Sequence, residues 1–238
     1  MKTMTSRKKK MKIRESDCTT GIYNSRIREY LLQGEGQHIE FKRKVSQLDK
    51  IVRELVAFAN SGGGTLLIGV ADDGRVPGIK DPEEESFAVR QAIEQYIRPT
   101  LRYQEEVVSI APGRYVLMYH VKPSTRLPCL VKQKRFTTCY VRVNDQSIKA
   151  SAEMKEILRR RHNRHTRLIR LGETEHFLLN YLANHPYITL QTFSAQRNLT
   201  RKQASRKLIY LVLANLLTLT PTDRGDRYSL AYATDTER

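Results

Sequence analysis

At 238 residues, 39% of them apolar, the chain is long enough for two modest cores, because single domains cluster at roughly 100–200 residues. Its 42 Lys plus Arg against 25 Asp plus Glu give a formal charge of +17, which points to a polyanionic partner held by counterion release and electrostatic steering. No run of 18 uncharged apolar residues exists to span a bilayer, and the lack of Trp removes the usual anchor of a basic membrane-surface helix; no membrane partner is expected.

Residues 1–24 begin with Lys2, Arg7, Lys8, Lys9 and Lys10 and contain no apolar h-region, so they are read as a disordered basic arm and not as a secretory leader. Cys18, Cys129 and Cys139 are odd in number and lack a C-x-x-C pair, which argues against a disulfide framework or a zinc knuckle and fits a reducing, cytoplasmic location.

A short helix is predicted over 25–32, stopped by Gly34, then a strand over 36–44. Residues 48–60 place Ile51, Val52, Leu55, Val56 and Phe58 at helical spacing, and Ser61 with Gly62, Gly63 and Gly64 ends that helix. Residues 65–70 form a continuous apolar run of the kind a buried strand shows, turned by Asp72, Asp73 and Gly74. A helix over 86–97, strands over 105–110 and 115–121, and a hairpin pairing 129–132 with 139–143 follow. A helix over 150–162 ends in arginines, where the dipole favours cations; they are read equally as a solvated helix end or as phosphate contacts. The order of elements predicts an α/β (α+β) fold, a mixed sheet with helices on it. Its span is 25–162, with a basic linker over 163–172.

From residue 173 the pattern changes to three helices, over 174–184, 189–197 and 201–217, and two strands, over 216–220 and 227–231. A turn at Asn198, Leu199 and Thr200 precedes the third helix, with Thr200 as its N-cap. Arg201, Lys202, Gln203, Ser205 and Arg206 are the exposed donors of that helix, suited to base edges and phosphates, while Arg224 sits at the hairpin tip. This stretch, 173–232, resembles the winged-helix domains of bacterial regulators; a tail covers 233–238. Winged helices also dock proteins, so a non-enzymatic dimerisation or assembly module stays open.

The segment Glu35-Gly36-Gln37-His38-Ile39-Glu40-Phe41-Lys42, then Ala57-Phe58-Ala59-Asn60-Ser61-Gly62-Gly63-Gly64, then Leu67-Ile68-Gly69-Val70-Ala71-Asp72-Asp73-Gly74, and later Tyr140-Val141-Arg142-Val143-Asn144, resembles the Schlafen AlbA-like domain over about 26–158. In bacteria the resemblance implies a DNA-binding module, often joined to a winged helix, and hence a transcriptional regulator that needs no cofactor for binding and acts as a homodimer on nucleic acid, DNA in preference to RNA. In the animal Schlafen ribonucleases a similar domain carries two glutamates five residues apart and a later aspartate. On that resemblance Glu35, Glu40 and Asp72 are catalytic and hold Mg²⁺ or Mn²⁺, hard cations that take oxygen ligands. Such a nuclease is the alternative function. Against it, the chain has one lobe where those enzymes have two.

No G-x-x-x-x-G-K-[ST] occurs, so an ATPase reading has no support. Gly62, Gly63 and Gly64 are read equally as a loop whose backbone N–H groups cradle a phosphate and as a helix stop with a tight turn. Lys42, Arg43, Lys44 and Arg142, with Lys132, Lys134, Arg135 and Lys149, are the candidate phosphate contacts of this part. Phe136 lies among them and is expected in the core. His38 is expected to be structural.

Overall fold

The computed structural model describes residues 25–133, 135–161 and 171–231. The basic arm, Lys134, most of the linker and the tail lie outside them. The fold is α+β with a mixed sheet, as the order of elements predicts.

Helix α1 (Ser25–Gln33) ends where the Gly34 N–H donates to the Tyr30 carbonyl at 2.9 Å. Strand β1 (Ile39–Lys42) and strand β2 (Gly64–Ile68) are parallel, joined by helix α2 (Leu48–Asn60). Helix α3 (Pro82–Tyr96) starts four residues before the expected 86, because Asp81 accepts the Glu84 N–H at 3.0 Å, Pro82 occupies the first turn and three glutamates favour the positive end of the dipole. After the two-residue strand β3 (Ile97–Arg98), strands β4 (Tyr103–Ala111) and β5 (Arg114–Val121) form an antiparallel hairpin. The main sheet runs β1-β2-β5-β4.

Period-two alternation divides this sheet between two cores. Leu66, Ile68, Leu117, Tyr119 and Val121 pack against α2 and α3, while Phe41, Leu67, Val116 and Met118 pack under Ile27 and Leu31 of α1. Each such fully buried side chain contributes roughly 1.5–3 kcal/mol over exposure. Glu40, one register position from Phe41, therefore faces α2.

The predicted second hairpin is paired differently. Strand β6 (Leu130–Lys132) pairs with β3 and with β7 (Thr137–Thr138), whereas β8 (Tyr140–Val143) pairs with β9 (Gln146–Lys149). The reason is the two-residue turn at Asn144 and Asp145, where Asn144 takes φ 55°, a conformation asparagine tolerates and hairpins require.

Helix α4 (Ala152–Arg161) buries Met154, Ile157 and Leu158 in a third core. That core is shared with α5 (Glu173–Asn184), α6 (Leu190–Gln196), α7 (Arg201–Leu213) and the antiparallel strands β10 (Leu217–Thr220) and β11 (Arg227–Leu230). Helix α7 stops at Leu213, short of the expected 217, because Asn215 turns the chain at φ 56° and β10 begins. No helix among the described residues is long and apolar enough to cross a membrane.

Candidate functional site

Three of the predicted site residues, Glu40, Lys42 and Arg142, meet in one buried charge cluster. Arg142 projects from β8 with its side chain 0% exposed, and its guanidinium reaches Glu40 at 2.5 Å and Glu54 of α2 at 2.6 Å. It also donates to the carbonyls of Gly36 at 3.1 Å and Ile39 at 3.2 Å, and lies over the Phe58 ring. The other Glu40 oxygen is taken by Lys42, and Ser147 donates to Glu54. Burial pushes the Glu54 carboxyl up; the Ser147 bond opposes that, the Glu40 charge adds to it, and Arg142 pulls it back. A buried arginine whose donors are spent this way is not presented to a phosphate, so Arg142 leaves the list of surface contacts.

Glu35 accepts the Phe41 N–H at 3.0 Å. Its pKa is raised, by burial first, with the Phe41 bond opposing and the charges of Glu40 and Asp72 adding to the rise. Glu35 therefore feels the charges of both Glu40 and Asp72. The donor set of the three does not fit a metal ion as placed: both Glu40 oxygens are held by cations. Among the described residues no group of three or more His, Cys, Asp or Glu side chains is arranged to hold one.

The glycine loop closes α2 in a tightly packed turn. Gly63 donates its N–H to the Phe58 carbonyl at 2.8 Å, closing α2, at φ 90°. A Cβ on Gly63 would fall 2.7 Å from the Val121 carbonyl oxygen, and one on Gly64 only 2.4 Å from the buried Phe58 ring. His38 contacts the Gly63 carbonyl at 2.7 Å and braces the same turn.

Arg43 and Lys44 are exposed and line a cleft of about 480 Å³ with Lys80 and Arg114, two cations the sequence reading did not single out. Asp81, Glu84 and Glu85 line it too. Glu85 accepts the Val45 N–H at 2.7 Å and Asp81 caps α3, yet four cations against three carboxylates leave little net field for an anion. Lys132, Arg135 and Lys149 are exposed elsewhere on the surface. Cys129 and Cys139 are free and buried, and burial pushes their thiols up to about 11 and about 12, which keeps them unreactive.

On α7 the core side is Ala204, Leu208 and Leu211, and Ser205 donates to Glu153 of α4 at 2.9 Å. Lys207 is paired with Glu175 at 2.5 Å. Arg201, Lys202, Gln203 and Arg206 are exposed. The Gln203 carbonyl is spent on a capping box with Thr200, which leaves the two arginines and Lys202 as the charged donors. They have no salt-bridge partner among the described residues, and Arg224 is exposed at the turn between β10 and β11 in the same state.

These features define an α+β unit with a satisfied internal charge cluster, followed by a helical unit that presents free cations. Residues 35–151 match the family model described as Schlafen, AlbA_2, which supports a Schlafen AlbA-like domain over that segment. Solved structures similar to the chain include two of bacterial proteins. The N-terminal domain of a protein from Nitrosomonas europaea named as ATP-dependent DNA helicase RecG-related is 21% identical, with 62% of this chain and 93% of that one covered and a TM-score of 0.40. The DIP2311 protein from Corynebacterium diphtheriae is 17% identical over 82% of this chain and 34% of that one, with a TM-score of 0.42. No curated protein matches the chain.

Proposed function

We propose that the protein binds nucleic acid, duplex DNA foremost, as a transcriptional regulator whose residues 173–232 act as a winged helix. The observation that carries this reading is the exposed, salt-bridge-free set Arg201, Lys202 and Arg206 on α7. Helix α6, the turn through Asn198 and α7 have the order of a helix-turn-helix, and β10 with β11 follows as the wing, Arg224 at its tip. Because α4 covers the Ser205 flank of α7, the groove-facing stripe is Lys202 and Arg206, with Arg201 at the helix start where base contacts concentrate. In the Schlafen AlbA-like domain Arg43 and Lys44 would add only weak phosphate contacts, because the carboxylates of the same cleft largely offset their field. A homodimer would read a two-fold symmetric site.

The test is a titration with duplex DNA, single-stranded DNA and structured RNA at two salt concentrations, with and without Mg²⁺ or Mn²⁺, reading retardation and cleavage together. Duplex is expected to be retarded intact with a steep salt dependence, and Arg201→Ala with Arg206→Ala to lower the slope of log K against log salt by about 2. An unchanged slope would remove α7 from the interface. Metal-dependent cleavage that stops in Glu40→Gln would replace the regulator with a nuclease.

A further inference from the structure

The turn joining β6 to β7 holds an aromatic ring where the core cannot use it. Phe136, expected inside, is 62% exposed and belongs to none of the three cores. Below it the hairpin is anchored: Val131 and Thr138 are register partners and both are buried. Above them the Gln133 N–H donates to the Phe136 carbonyl at 2.9 Å, which closes the turn and turns the ring outward. Lys132, the register partner of Thr137, and Arg135 belong to the same hairpin end, exposed and without a salt-bridge partner among the described residues.

A lone exposed apolar side chain is ordinary. One held at the end of a closed turn that also carries two exposed cations has the chemistry of a stacking platform: the ring takes the face of an unpaired base and the cations take neighbouring phosphates. Bases in intact duplex are already stacked and offer no free face. We infer that Lys132, Arg135 and Phe136 form a second binding element, specific for single-stranded or splayed nucleic acid; this rests on the nucleic-acid reading above. The stacking partner is any base, so sequence preference at this element is weak.

Since the chain contains no Trp, Phe136→Trp installs a single reporter in the full-length protein. Titration with a poly(dT) oligonucleotide is expected to quench its fluorescence, while blunt duplex leaves it unchanged. Val107→Trp, at an edge-strand position 49% exposed, is the control and is expected not to respond. Phe136→Ala should weaken poly(dT) binding about tenfold with duplex retardation unaffected. Phe136→Leu should behave like Phe136→Ala, whereas an apolar wedge in duplex would tolerate leucine. Retardation of nucleic acid by the parent chain, with no quenching and no effect of Phe136→Ala, overturns this inference alone. Failure of the parent chain to retard any nucleic acid sinks both readings. A Phe136→Ala loss that tracks a change of oligomeric state in sedimentation overturns it in favour of a contact between copies.

Discussion

Arg142 and Arg206 are both candidate phosphate contacts in the sequence and have opposite fates. Arg142 is fully enclosed, with two carboxylates and two backbone carbonyls around its guanidinium; Arg206 is exposed on α7 with no salt-bridge partner among the described residues. Net charge therefore overstates the binding surface of the α+β unit. There Lys42 and Arg142 are spent on the internal cluster, whereas Arg201, Lys202 and Arg206 of α7 have no salt-bridge partner among the described residues. A buried pair is held by geometry and loses heavily when one partner is removed, while an exposed cation contributes little to stability and much to association.

The largest expected effect breaks that comparison if it fails. Arg142→Met leaves Glu40 with Lys42 alone and Glu54 with Ser147 alone, both carboxylates still largely buried, and should lower the unfolding free energy by about 3–5 kcal/mol in a denaturant titration. Affinity per folded molecule should be unchanged. Arg206→Ala should do the reverse, shifting stability by less than about 0.5 kcal/mol. An Arg142→Met protein that keeps its stability and loses nucleic acid would mean that the guanidinium leaves its cluster to bind.

The burial of Arg142 was hard to read because its partners are 102 and 88 residues away and strand alternation would send it outward between Val141 and Val143. A local signal existed in Glu54, a charge on the apolar face of α2 between Ile51 and Phe58, which demands a buried partner. Helix α2 was legible to the residue, since its periodicity and its glycine stop are both local. The start of α3 is equally local, set by Asp81-Pro82 and three glutamates and not by the apolar spacing that follows. Strand pairing near β6 to β9 was less accessible, because runs of two to four residues carry too little pattern to set register. The exposure of Phe136 depends on that pairing: as part of a longer strand it would alternate inward with Thr138, but β7 begins after it.

A smaller effect sharpens the division between folding and binding roles at the glycine loop. Gly63→Ala puts a Cβ 2.7 Å from a backbone carbonyl that cannot swing aside, at φ 90°, and should cost about 1–3 kcal/mol in unfolding free energy. Because the Gly63 N–H already serves the Phe58 carbonyl, affinity per folded molecule should hold. An affinity loss larger than the stability loss would return the loop to phosphate binding.

The smallest effect concerns Glu35, at the rim of the cluster. Its carboxyl is raised above the ordinary 4.5 by burial and by the charges of Glu40 and Asp72, so between 4.5 and the raised value the folded chain binds more protons than the unfolded one. Stability then falls as pH rises through that window, and the favourable contribution is complete only below it. Glu35→Gln keeps a carbonyl for the Phe41 N–H and removes the titration. Urea midpoints measured from pH 4 to pH 8 should show a shallower decline and a modestly more stable protein at neutral pH. The decline should persist in part, because Glu54 and Asp226 are raised by burial as well and contribute slopes of the same sign. An unaltered profile would mean that neither burial nor the other two carboxylates raises Glu35, and the chain's internal charge network would then consist of Glu40, Lys42, Glu54 and Arg142 alone.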